Sequence, residues 1–223
     1  MTDRPILFSA PMVRALLAGT KTQTRRVVKH DPQLRPIYID VFAFDPERGE
    51  WEMGESHMGN VAHVGWVRCP YGAPGDRLWC REAWAVDYIH DGAAPSLVTP
   101  TVAVTYRASE DALGVALNGR RGQWRPSIHM PRWASRLTLE VVAVRVERLQ
   151  DISEADAIAE GIVEQSGSAI GVPVPGYGLA GCSGKDLMNF AVDAYRSLWE
   201  SINGEGSWEK NPWCWVVEFR RLP

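Results

Sequence analysis

Leu17-Ala18-Gly19-Thr20-Lys21-Thr22-Gln23-Thr24-Arg25-Arg26 gathers a lysine, threonine hydroxyls and two arginines immediately after a short apolar run. An amine beside a hydroxyl is a nucleophile pair whenever the amine can shed its proton. Lys21 and Thr24 are three residues apart, which places both on one side of a helical or tight-turn backbone. The same residues also suit a solvated helix end, where cations meet the C-terminal dipole. Arg25 and Arg26 could hold a phosphate or the polar edge of a base.

Working outward, Ile6 to Phe8 reads as a short strand. Ala10-Pro11 opens a helix with Met12, Ala15 and Leu16 on its apolar face, ending at Gly19. Residues 31–66 are irregular and fit an insertion holding one hairpin. Pro74-Gly75-Asp76 is a turn signal, and Arg77 to Trp84 alternates as a strand. Thr101 to Tyr106 is a second strand, 108–126 a polar loop, and Arg136 to Val146 the longest strand. A helix follows Asp151, with Ser153 as its N-cap and Ile152, Ala155, Ile158, Ala159 and Ile162 as its apolar face. Residues 164–184 are rich in glycine and read as a mobile loop. Lys185 to Ile202 is the strongest amphipathic pattern, lined by Leu187, Phe190, Ala191, Ala194, Tyr195, Leu198, Trp199 and Ile202. Trp213 to Phe219 closes the chain as a strand. Many strands and few helices predict an α+β domain built on a small β-barrel with helices on its outside.

The 223 residues suit one domain with insertions, and 45% hydrophobic residues suffice for a sizeable core. A net charge of -3 argues against a general polyanion binder, although Arg120, Arg121, Arg125, Arg132 and Arg136 bunch locally. Ten tryptophans outnumber both Phe (5) and Tyr (6), which suits a ring-stacking pocket as well as a core. The four cysteines lack any CxxC pair, the N-terminus lacks an apolar leader, and no apolar run has membrane-spanning length. A cytoplasmic protein with reduced thiols, away from the membrane, is expected. His57, His63 and Cys69 are too widely spaced for structural zinc, so neither metal nor cofactor is expected. Gly178 to Lys185 fails as a phosphate loop, since Asp186 stands where Ser or Thr is required.

The opening motif resembles that of the ASCH domain family, which has a PUA-like fold. Pro74-Gly75-Asp76-Arg77-Leu78 is similar to the family's turn before a barrel strand. Leu149 through Gly161 is similar to its later helix, and Trp215-Val216-Val217-Glu218-Phe219 to its final strand. The order is right across nearly the whole chain, which looks like an enlarged member of the type carried by phages and prophages. The resemblance implies one PUA-like domain over residues 1–223, with insertions at about 31–66, 108–126 and 164–184. One compact branch of the family hydrolyses N(4)-acetylcytidine. By position, its catalytic lysine, threonine and glutamate fall on Lys21, Thr24 and Glu160, with Glu154 and Asp156 as neighbouring carboxylates. Thr24 would attack the amide, Lys21 would act as base, and Glu160 would orient the lysine or pass a proton to the leaving amine. Arg26 would hold substrate or oxyanion, and Glu82 is the substitute carboxylate for the same cavity. The partner expected is a modified nucleoside or nucleotide.

Ser127-Ile128-His129-Met130-Pro131-Arg132-Trp133 carries a second reading. Trp133 could stack a base, Arg132 contact phosphate and His129 act as acid or base, giving an RNA or single-stranded DNA binding module, ribonuclease-like in the wider family. The same segment also suits a wedge that packs Met130 and Trp133 into the barrel mouth.

Overall fold

The computed structural model describes residues 2–29, 41–57, 60–109, 120–169, 172–183 and 186–223. Its centre is a five-stranded sheet. The first strand, β1 (Asp3–Leu7), runs parallel to β6 (Arg77–Arg81). Beyond β6 come β9 (Thr138–Arg148), β12 (Trp213–Arg221) and β2 (Gln23–Val27), all joined antiparallel. Among the described residues this sheet is open, with β1 and β2 at its edges, and no sheet closes into a barrel. The fold is therefore α+β, while the barrel expected from the strand count is not formed by these pairings.

Strand alternation sorts the two faces. Val217 and Trp215, opposite Thr24 and Arg26, belong to a core with Leu139, Val141, Leu78 and Ile6. Helix α1 (Ala10–Ala18) covers this face through Met12, Val13 and Leu16. The antiparallel sheet of β3 (Val41–Asp45), β4 (Glu50–His57) and β5 (Asn60–Val67) packs beside it. Trp51 meets Trp215 edge to face at 5.9 Å, and Phe42 meets Trp213 at 5.0 Å. On the opposite face, Cys214 joins Leu149, Ile152, Ile162 and Trp208 beneath α2 (Glu154–Ala159) and α3 (Ala191–Asn203). A third cluster holds Trp84, Val86, Val98, Met130 and Ala134, near the short pair β7 (Trp84–Ala85) and β8 (Thr105–Tyr106).

Several expectations change. The insertion at 31–66 contributes a three-stranded sheet where one hairpin was expected, although its residues 31–40 lie outside the described ones. Of the 108–126 segment, 110–119 also lie outside them. Only Thr105–Tyr106 of the 101–106 strand pairs. The loop expected at 164–184 is mostly an antiparallel hairpin, β10 (Ile162–Ala169) with β11 (Val172–Leu179). A Cβ on Gly178 would lie 2.5 Å from Cys182 Sγ, so this glycine serves close packing. Helix α3 begins at Ala191; Phe190 is exposed before it, and backbone bonds join Met188 to Tyr177 of β11. Of the apolar face expected around α2, Ile152 and Ile162 are buried, but Ala155 and Ile158 are exposed and Ala157 is buried instead. Its N-terminus is a full capping box: Ser153 Oγ accepts from Asp156 N–H, and the Asp156 carboxylate accepts from Ser153 N–H. No helix among the described residues is long and apolar enough to cross a membrane.

A glycine sets the exit from α2. Gly161 has φ +102°, so the chain reverses directly after Glu160. A Cβ there would sit 3.0 Å from Ala15 Cβ and 3.4 Å from Lys21 Cβ. Gly161→Ala is expected to cost at least about 1–2 kcal/mol from backbone conformation alone, read as a lower urea midpoint at unchanged m-value.

Candidate functional site

The approach to β2 is not helical. Lys21 pairs by an isolated antiparallel bridge with Glu160, and Thr22 N–H donates to the Ala159 carbonyl at 2.9 Å. Backbone bonding thus joins two segments 139 residues apart and sets their side chains together. Lys21 Nζ donates to Glu160 Oε2 and to the Glu160 carbonyl, both at 2.8 Å. The pair is almost wholly buried, with side-chain exposures of 1% and 4%. Burial pulls the Lys21 amine below its ordinary 10.5; Glu160 opposes that shift, while Arg26 and Arg25 add to it.

Thr24, 1% exposed, lines the same cavity as Lys21 and Glu160, which has a volume of about 300 Å³. Its Oγ1 has no hydrogen-bond partner among the described residues, nor do Glu160 Oε1, Arg25 Nη1 and Trp199 Nε1, all on residues lining this space. The remaining walls are apolar: Leu7, Phe8 and Met12 on one side, and Tyr195, Leu198, Trp199 and Ile202 of α3 on the other. Because β2 is an edge strand, elements from both faces of the sheet can close around its free side. Ladder phase also exposes backbone there. Val28 N–H donates to the Trp213 carbonyl and Phe219 N–H to the Thr22 carbonyl. Even-numbered residues of β2 therefore bond to β12, and odd-numbered ones turn N–H and C=O outward. The Arg25 carbonyl accepts from Arg26 Nη1 at 3.2 Å, so the outward donor at this position is the Arg25 N–H.

Arg26 also lines the cavity. It donates from Nη2 to the Leu7 carbonyl at 2.9 Å and lies 5.3 Å over the Phe8 ring. The other expected site residues line a different region. Glu82, 2% exposed, is held by Arg136 through two bonds of 2.8 and 3.0 Å, and Arg136 stacks 4.0 Å over Tyr106. That ion pair occupies both Glu82 oxygens, and Glu82 is not among the residues lining the Lys21 cavity. His129 sits exposed on a 3-10 turn. Arg132 faces Asp3 at 3.3 Å, and Trp133 packs edge to face on Trp84 at 6.2 Å beside buried Met130. Met130 and Trp133 thus pack inward as a wedge would, into the Trp84 cluster rather than a barrel mouth, and none of the three expected residues lines the cavity.

Sequence reasoning offered Arg25 only as a phosphate or base-edge contact, not as a buried partner of Glu160, and passed over Tyr195 and Trp199 as site residues. The last two were legible only as part of a helix face. The Tyr195 phenol is pushed well above its ordinary 10 by burial and by the Glu160 charge, so it stays protonated. Among the described residues no cluster of His, Cys, Asp and Glu could hold a metal ion. A second cavity of about 500 Å³ lies by Phe44, Trp51 and Pro74. Its two arginines are paired, Arg48 with Asp45 and Arg68 with Glu50, and burial pushes its Cys69 thiol up to about 11. It lacks the reactive grouping of the smaller one. No protein family, characterised protein or solved structure matched this chain when compared.

A buried ion pair costs desolvation that a hydrophobic pair avoids. Lys21→Met alone should destabilise by about 3–5 kcal/mol, leaving a buried carboxylate without its amine. The double variant Lys21→Met/Glu160→Leu should recover most of that loss in urea unfolding, as expected where the pair is kept for chemistry.

Proposed function

We propose that this protein hydrolyses the amide of an acylated nucleobase, an N(4)-acetylcytidine-like nucleoside or nucleotide. The observation that carries the reading is the meeting of Lys21, Thr24 and Glu160 in one small cavity with a polar floor and apolar walls. The motif order supports the accompanying PUA-like assignment of the sheet.

In the reaction, neutral Lys21 Nζ takes the proton of Thr24 Oγ1 as that oxygen attacks the amide carbon. The negative charge on the former carbonyl oxygen is met by donors already in place, the Arg25 backbone N–H and the Arg26 guanidinium. The C–N bond then breaks. The amine of the base leaves with the proton returned by Lys21, while Glu160 Oε2 holds Nζ in line and Oε1 accepts from the substrate N–H. Water attacks the resulting threonine ester and gives a proton to Lys21; as the ester C–O bond breaks, Lys21 returns that proton to Thr24 Oγ1, releasing the carboxylic acid and restoring the hydroxyl and the neutral amine. The aromatic walls, Phe8 and Trp199, suit the flat face of a base.

The base must be neutral, and burial lowers its pKa below 10.5. The rate should therefore rise with pH through that lowered pKa and level off above it. Release of cytidine from N(4)-acetylcytidine, followed by absorbance, should fall at least about 100-fold in Lys21→Ala and in Thr24→Ala. Absence of turnover by the wild-type protein ends this reading. Unchanged turnover in Lys21→Ala ends its mechanism.

A further inference from the structure

Arg25 is the most completely buried charged group beside the cavity, with a side-chain exposure of 0%. It projects from β2 toward α2 and reaches three carboxylates. Nη2 lies 2.9 Å from Glu147 Oε2 and 3.4 Å from Asp156 Oδ2, and Nη1 lies 3.7 Å from Glu160 Oε1. Glu147 and Asp156 are anchored on their outer sides by Arg145, which also pairs with Glu218. An arginine serving only as structural filling would be satisfied by Glu147 and Asp156. This one carries a further N–H, Nη1, toward Glu160 and the cavity, with no hydrogen-bond partner among the described residues.

We propose that Arg25 is a positioning residue: its guanidinium ties the end of α2 to the strand that carries Thr24, and thereby fixes the Glu160 carboxylate against Lys21. At 3.7 Å the hold on Oε1 is electrostatic and falls short of a hydrogen bond. Glu160 therefore keeps Oε2 on Lys21 while Oε1 stays free to accept from a ligand.

The consequence is a charge balance around one amine. Lys21 is faced by Glu160 at the end of α2 and by Arg25 and Arg26 from β2, while Asp156 of α2 pairs with Arg25 and Tyr195 of α3 senses the Glu160 and Arg25 charges. Glu147 and Arg145 of β9 and Cys214 of β12 lie behind Arg25. Removing the guanidinium takes away a nearby positive charge and uncovers carboxylates, and both effects favour the protonated amine. Removing the Glu147 carboxylate does the reverse.

The kinetic part of the test rests on the hydrolase reading; the titration part does not. The chain has four lysines, Lys21, Lys29, Lys185 and Lys210, so 13C-labelled lysine gives a simple spectrum in which Lys21 is assigned by its loss in Lys21→Ala. Without substrate, Arg25→Gln should raise the Lys21 titration midpoint by about one pH unit or more. Glu147→Gln should lower it by a smaller amount, and Arg25→Lys should leave it near wild type. With N(4)-acetylcytidine, the rising limb of kcat/KM should move with the midpoint, and Arg25→Lys should lose kcat because one ammonium cannot span three carboxylates. Folded Arg25→Gln with an unmoved Lys21 midpoint overturns the proposal. Should that variant not fold, Glu147→Gln decides: a midpoint that stays put or rises overturns it. Failure of wild-type turnover leaves the titration result standing and ends only the hydrolase reading.

Discussion

The bond on which the site depends is the buried contact between Lys21 and Glu160. Neither residue reaches its place through its own element alone. Lys21 lies between the end of α1 and the start of β2, and Glu160 is the last residue before the turn at Gly161. What unites them is a backbone bridge, with Thr22 N–H bonded to Ala159 and Lys21 paired to Glu160. Once that bridge forms, the side chains have little choice. The amine is enclosed, and its two acceptors, the carboxylate and the carbonyl, belong to the same residue.

The rest of the architecture serves this contact through the position of β2. An inner strand would have both backbone edges occupied by neighbours. As the last strand of the open sheet, β2 has no strand on its outer edge among the described residues, and Leu7, Phe8 and α1 approach it from one face while α3 approaches from the other. The result is a cavity whose floor is polar and whose walls are dry. Dryness matters to the proposed chemistry, because a lysine in water stays protonated at neutral pH and could not accept a threonine proton. The Arg25, Asp156, Glu147 and Arg145 chain extends behind it, so the charge at the floor is balanced from inside the protein. Asp156 shows the balance locally. Burial raises its carboxyl, but hydrogen bonds from Ser153 and the Arg25 charge together bring it below its ordinary 3.8.

Elements whose signals are local were readable along the chain. The N-cap at Ser153 is a matter of neighbours three residues apart, and it formed as expected. The central β9 and β12 strands have long β-branched and aromatic runs that leave little alternative. Misreadings occurred where composition stood in for contact. The glycines of 164–184 suggested mobility, yet Gly178 is small because Cys182 and Leu187 press against it. Glu82 looked available for the cavity because its strand leads that way, but Arg136, far along the chain, claims both of its oxygens. Arg25 looked like an outward contact for phosphate or a base edge because an arginine next to another arginine reads as a charged surface, and burial cannot be seen from such a pair.

By itself the sequence determined the mixed α+β class and the places of α1 and the main strands. Those follow from bonds and packing preferences that span a few residues. Only the tertiary structure decided that the five-stranded sheet stays open among the described residues, that β2 is its edge, and that Arg25 rather than Glu82 joins the cavity. The reason is physical: strand pairing, burial and charge balance depend on groups more than a hundred residues apart, such as Arg25 with Glu147 and Lys21 with Glu160. Their energies are settled by which surfaces exclude water together, a property that no short stretch of chain possesses.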